Sequence, residues 1–228
     1  MDGNGRWAQK KGAERIFGHQ HAVTAVKEVT EGCAELKIPY LTLYAFSTEN
    51  WGRPKKEVEG LMQLLVSTIK KEINTLIDNN VQLDAIGDIE NLPMECKDEL
   101  HEAIQSTQKN SGLKLTLALS YSGKWDITQA LIKIVDDVES GKLNKKDISQ
   151  DLISEYLSTK GKPDPELLIR TSGEMRISNF LLWQLAYSEF YITETLWPDF
   201  RKEHLYDAIL AYQNRERRFG KVSEQINF

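Results

Sequence analysis

Residues 40–54 read YLTLYAFSTENWGRP, and the order of those letters decides the fold. Residues 40–46 combine aromatic, aliphatic and threonine side chains, which suit a pleated, half-buried surface and predict a strand. Polar STENWGRP closes it. From residue 56 to 78 the apolar residues Leu61, Leu64, Leu65, Ile69, Ile73, Leu76 and Ile77 recur at three- and four-residue steps, which predicts a long amphipathic helix.

The same alternation continues downstream. VQLDAIGD reads as a strand, residues 93–109 as a helix, LKLTLALSY as a strand and residues 125–140 as a helix. A short helix near residues 147–157 precedes the loop KGKPDPE; then LLIR reads as a strand, SNFLLWQLAY as a helix, EFYIT as a strand and residues 201–220 as a last helix. Strands separated by helices require crossovers, and crossovers predict a mostly parallel sheet covered on both faces. Ligands of such sheets gather beyond the carboxyl ends of the strands. Three polar segments, STENWGR, SYSGKW and RTSGEMRISN, follow strands and are expected to share one rim.

A chain of 228 residues with 40% apolar content can bury one sizeable core, so residues 1–228 are read as a single α/β domain. Cys33 and Cys96 are too few to staple it, and free thiols suit a reducing cytoplasm. No apolar run approaches the ~20 residues of a membrane span, and no secretory leader opens the chain. The net charge of −5 argues against nucleic acid as a partner.

Lysines fall in pairs that suit a solvated face, whereas eight of the nine arginines fall in or beside segments rich in Gly, Ser or Asn. Guanidinium binds phosphate bidentately, so this division points to a phosphate-like ligand, with plain surface arginine as the alternative. At the front of the chain, DGNGRW has two readings. Its glycines and Arg6 can form an anion cradle, or the stretch can be an ordinary turn. A cradle usually follows a strand, yet only Met1 precedes this one, so an upstream strand is expected to be missing and a gap is expected in the sheet beside residue 2. The P-loop, the dinucleotide-binding glycine pattern, DDxxD and HExxH are all absent from the sequence.

Six blocks together resemble the cis-prenyltransferase family: MDGNGRWA, RxxGH from Arg15 to His19, LTLYAFSTENWGRP, LIRTSGEMRISNFLLWQLAYSEFYIT, LWPDF and NRERRFG. They occur in order over essentially the whole chain. The resemblance implies a six-stranded sheet enclosing a hydrophobic tunnel, and condensation of farnesyl diphosphate with successive isopentenyl diphosphates in cis configuration. In the bacterial branch the product is undecaprenyl diphosphate, the lipid-carrier precursor of cell-wall synthesis.

By the same resemblance Asp2 binds Mg²⁺ and positions the departing diphosphate, with Glu189 as the second metal position. Gly3, Asn4, Gly5 and Arg6 cradle the allylic diphosphate together with Arg15 and His19, and Trp7 lies beside them. Arg170, Arg176, Ile177 and Ser178 hold isopentenyl diphosphate. Ser47, Thr48 and Glu49 line the pocket, Trp51 and Arg53 flank the substrates, and Asn50 assists proton removal. A neutral amide is a poor base, so Asn50 is expected to orient a water or phosphate that takes the proton. Val23, Ala45, Val81 and Leu113 are tunnel-wall candidates, Leu113 at the floor. Ser120, Lys124 and Met175 depart from the family's usual residues; the last stands where histidine is common, which puts a metal or proton role there in doubt. NRERRFG, otherwise a solvated helix end, implies a homodimer with FLLWQLAY and FYIT at its interface, and the lipid product implies peripheral membrane contact. Two other classes remain: a non-catalytic subunit of the same family, disfavoured because Asp2, Arg170, Arg176 and Glu189 are present, and a binding protein for another diphosphate, which needs no tunnel.

Overall fold

The computed structural model describes residues 1–217. Strand β1 (Tyr40–Ser47) leads through a short 3-10 turn (Thr48–Gly52) into helix α3 (Lys55–Asp78), as the opening stretch predicts. Two helices precede that unit, α1 (Asn4–Lys10) and α2 (Arg15–Glu35). After it come β2 (Gln82–Ile86), α4 (Met94–Thr107), β3 (Lys114–Tyr121), α5 (Gly123–Glu139), α6 (Gln150–Tyr156), β4 (Leu167–Arg170), β5 (Glu189–Ile192) and α7 (Lys202–Gln213). Arg218, Phe219 and Gly220 of NRERRFG lie outside the described residues.

All strand pairings are parallel, in the order β1-β3-β2 and β4-β5. The expectation of one six-stranded sheet is therefore corrected to five strands in two sheets among the described residues. The physical reason lies between β1 and β4, which do not pair. Met1 and Asp2 stand between them: the Met1 ammonium lies 3.5 Å from the Tyr44 carbonyl, and the Asp2 N–H donates to Thr171 Oγ1 at 3.0 Å. A gap is thus present beside residue 2, and the central cavity extends into it between Leu41, Leu43, Leu167 and Ile169.

Central strand β3 is buried along most of its length because helices pack on one face and the turns of residues 180–185 on the other. On one side the core joins Val29 and Cys33 of α2, Met62 and Val66 of α3 and Leu100 of α4. A smaller core of Ile86, Ala118, Tyr121, Phe180, Leu181 and Leu185 fills the other. The segment SNFLLWQLAY is a chain of turns, not the expected helix. Ser178, Asn179 and Leu181 hold φ of 49°, 60° and 43°, left-handed values that end any helical ladder. Close approach fixes α1 against α2: a β-carbon on Gly18 would sit 2.0 Å from the Asn4 carbonyl oxygen.

Candidate active site

Beyond the carboxyl ends of the strands the polar segments meet, as expected. Trp51 Nε1 donates to Ser120 Oγ at 2.9 Å, which ties STENWGR to SYSGKW. Asn179 ties both to the third segment: its Nδ2 donates to Glu49 Oε1 at 2.7 Å, and its Oδ1 accepts the Lys124 N–H at 3.0 Å.

The first cluster grows from the opening turn. Gly3, at φ 105°, caps α1 and folds the chain back so that Arg6 and Asp2 face the loop after β4. Arg6 donates to the Ser172 carbonyl and hydroxyl and pairs with Glu174 at 3.0 Å. Asp2 accepts the Gly3 N–H at 2.8 Å and pairs with Arg170 at 2.9 Å. Burial by itself would raise the Asp2 carboxyl, but the Gly3 N–H and the Arg170 guanidinium outweigh it and hold it below the usual carboxylate range.

Asn4, Gly5, Arg15 and His19 line the same mouth. Arg15 and Arg53 both reach Glu57, at 3.4 and 3.2 Å, so one carboxylate sets the direction of two guanidinium groups. His19 Nδ1 lies 3.4 Å from Asn4 Nδ2. Burial, with Arg53 and Arg15 adding to it, lowers His19 from 6.5 to about 4, so its imidazole is neutral at pH 7.

The second cluster is built on Arg170 at the end of β4. Its Nη1 donates to the Arg176 carbonyl at 2.6 Å and to Ser178 Oγ at 3.1 Å. Its Nε is buried without a partner among the described residues, as is Asn4 Oδ1. Two unspent polar atoms at one mouth suit a polar ligand. Arg176 pairs with Glu174, and Ile177 and Ser178 line the opening beside it.

The residues between the clusters divide. Ser47 and Asn50 line the cavity mouth; Asn50 Oδ1 accepts the Ser47 N–H at 3.2 Å and caps the 3-10 turn. That bond occupies the oxygen a base would use and leaves the Asn50 NH₂ to orient a ligand. Thr48 donates to Glu49, and Glu49 is held below its ordinary value because hydrogen bonds led by Asn179 outweigh the effect of burial. Trp51 and Arg53 face a separate cleft of about 430 Å³, and Arg53 reaches the main mouth as well.

Two expected site residues lie away from the mouth. Trp7 is not at the mouth: its ring packs with Phe17 and His21, and its Nε1 donates to Asp199 at 2.8 Å. Glu189 does not join Asp2. It pairs in register with Leu167, three residues before the Arg170 that binds Asp2, a separation of roughly 10 Å along the strand. Its carboxylate binds Arg215 at 2.9 Å. Among the described residues no three acidic, histidine or cysteine side chains cluster to hold a metal. Asp2, ionised and part-exposed, is the carboxylate that would hold a Mg²⁺ ion, a cation bound through one or two carboxylates together with substrate phosphates and waters.

Beneath the mouth lies a cavity of about 1250 Å³, larger than the ~300–1,000 Å³ of ordinary small-molecule pockets. Val23 and Val26 of α2, Leu61 and Leu65 of α3, and Leu115 and Leu117 of β3 form its walls, and Ala45 and Val81 join them. Leu113 is buried but does not line it. Leu76 and Val81, beside the end of α3 and the start of β2, line its far side.

Guanidinium clusters at the rim of a deep apolar bore suit a transferase acting on molecules with an anionic head and a long hydrocarbon tail. The chain belongs to the cis-prenyltransferase family described as putative undecaprenyl diphosphate synthase, matched over residues 1–220. It is 54% identical over 226 residues to an isoprenyl transferase of Chlorobaculum tepidum, covering 99% of this chain and 85% of that protein. A Pasteurella multocida protein described as a farnesyl-diphosphate-specific ditrans,polycis-undecaprenyl-diphosphate synthase is 48% identical, over 98% of this chain and 93% of its own. Lavandulyl diphosphate synthase from Lavandula x intermedia, solved with dimethylallyl diphosphate, superposes with a TM-score of 0.95 at 38% identity, over 97% of this chain and 95% of that one.

Proposed function

We propose that the protein condenses farnesyl diphosphate with successive isopentenyl diphosphates to give undecaprenyl diphosphate. The observation that carries this reading is the pairing of two arginine clusters with one apolar bore. The allylic diphosphate sits at the opening turn among Asp2, Gly3, Asn4, Gly5, Arg6, Arg15 and His19. Isopentenyl diphosphate sits at Arg170, Arg176, Ile177 and Ser178. As the C1–O bond of the allylic substrate breaks, negative charge grows on the leaving oxygen, and donors already aimed there stabilise the transition state more than the ground state. Each such charge-assisted bond contributes about 1.5–3 kcal/mol. Mg²⁺ at Asp2 supplies further charge neutralisation when bound. Neutral His19 donates or accepts a hydrogen bond without adding charge. The NH₂ of Asn50 orients the phosphate or water that receives the proton lost after condensation.

The growing tail enters the bore, where each buried CH₂ contributes roughly 0.8 kcal/mol. Tail length is set at the far side, so Val81→Phe shifts the products to shorter chains, read by sizing them after dephosphorylation. A homodimer forms through Tyr187, Phe190 and Ile192, which are exposed, whereas Phe180, Leu181 and Leu185 of the expected interface are spent in the core. Sedimentation at micromolar concentration tests it. Among the described residues no helix is long and apolar enough to cross a membrane. The reading places the enzyme in the cytoplasm with peripheral contact to the membrane that takes its product. Incubating the purified protein with farnesyl diphosphate, isopentenyl diphosphate and Mg²⁺ tests the whole reading. A ladder ending in a long polyprenyl diphosphate is expected; a single short condensation product, or none, overturns it.

A further inference from the structure

The opening turn and the loop after β4 each carry a carboxylate and an arginine, and the pairs are crossed. Asp2 of the turn binds Arg170, the last residue of β4 from which the loop springs, at 2.9 Å, and Glu174 of the loop binds Arg6 of the turn at 3.0 Å. Hydroxyl groups lace the same two segments. Thr171 Oγ1 accepts the Asp2 N–H at 3.0 Å and donates to the Asp2 carbonyl at 2.8 Å, while Arg6 donates to both the carbonyl and the hydroxyl of Ser172. The second oxygen of Glu174 binds Arg176. One carboxylate, 24% exposed, therefore touches a guanidinium from each cluster.

We propose that Glu174 is a positioning residue that couples the two anion sites, so that filling one orders the arginine of the other. The inference rests on the reading above, in which each cluster binds a diphosphate. An anion at the opening turn fixes Arg6. Through Ser172 and Glu174, fixing Arg6 fixes the loop and brings Arg176 to a single orientation before its own ligand arrives. The ordering cost is met once, and by linkage the second anion helps the first by the same factor. Stability is not the role of this carboxylate, because part-exposed ion pairs contribute little to folding. Two diphosphates also repel one another, so the Glu174 contribution is the difference in coupling between the native protein and a variant.

Calorimetric titration of the full chain with isopentenyl diphosphate, in Mg²⁺ buffer, measures that difference. Each protein is titrated with and without a saturating unreactive thiodiphosphate analogue of the allylic substrate. The variants are Glu174→Gln, which keeps shape and loses charge, and Glu174→Asp, which keeps charge and is too short to span both guanidinium groups. The affinity gain caused by the analogue is expected to be at least about fivefold larger in the native protein than in either variant. Thermal midpoints are expected to stay unchanged, and each ligand alone is expected to bind within about threefold of native. Equal gains in the native protein and Glu174→Gln overturn the coupling, and a native gain retained by Glu174→Asp overturns the bridge. Failure of the native protein to bind either ligand overturns the reading of the two sites, and this proposal with it.

Discussion

Two regions present arginines to the same mouth, and they are held in different ways. The opening turn is fixed by backbone: Gly3 caps α1, and α1 lies on α2 with no room for a side chain at Gly18. The loop from residue 171 to 181 has no helix or strand ladder. Backbone bonds anchor both ends, from Ser172 and Gly173 to the Thr195 and Thr193 carbonyls and from Gly123 to the Asn179 carbonyl, and between them its shape comes from side-chain hydrogen bonds of Arg170, Ser178 and Asn179 and from residues held at positive φ. A backbone-built site tolerates loss of a side chain and fails when packing is disturbed. A side-chain-built site does the reverse.

The most damaging test of that contrast is Arg170→Ala. It removes one partner of Asp2 and two of the bonds that shape the second loop, and kcat/KM is expected to fall by about a hundredfold or more while the thermal midpoint moves little. An equal loss of stability would erase the distinction. Gly18→Ala attacks the other region: the added methyl meets the Asn4 carbonyl, and overpacking of this kind costs about 1–3 kcal/mol, read as a lower urea midpoint. A smaller effect is expected of Asn179→Ala, which leaves Glu49 and the Lys124 N–H without their partner. KM for isopentenyl diphosphate is expected to rise about tenfold, from roughly 1.5 kcal/mol of lost hydrogen bonding, with less change in kcat.

The smallest expected effect is a pH dependence confined to the opening turn. His19 is held at about 4 in the folded protein and returns to about 6.5 on unfolding. Between those values the unfolded chain binds the extra proton, so the stabilisation is complete above about pH 6.5 and is lost as pH falls toward 4. Urea midpoints of the native protein are expected to drop more between about pH 7 and pH 5 than those of His19→Gln. Parallel slopes would remove His19 as the cause.

Much of the frame is legible in the sequence because α3, α4 and α5 carry apolar residues at regular helical steps and the strands are bounded by turn residues. Helix α2 is not. Its inward positions Ala22, Ala25, Val29 and Cys33 are small, with Gly18 and Gly32 among them, so the spacing is present but the hydrophobic contrast is weak. In SNFLLWQLAY the contrast is strong and the spacing misleads, because the apolar residues fill the smaller core through turns. At the site, the arginines and the glycine turn stand out as residue types. Their organisers do not: Glu57 acts across 42 positions to Arg15, and Asn179 across 130 to Glu49, which no local pattern reveals. Strand register, which no motif shows, sets where the Glu189 carboxylate goes.

Cys33 lies in the wall of the bore with its side chain buried, and burial pushes its thiol up to about 12. Allylic diphosphates are alkylating agents, and the thiolate is the form of sulfur that would attack them. At neutral pH this sulfur stays protonated, the form in which it is a poor nucleophile.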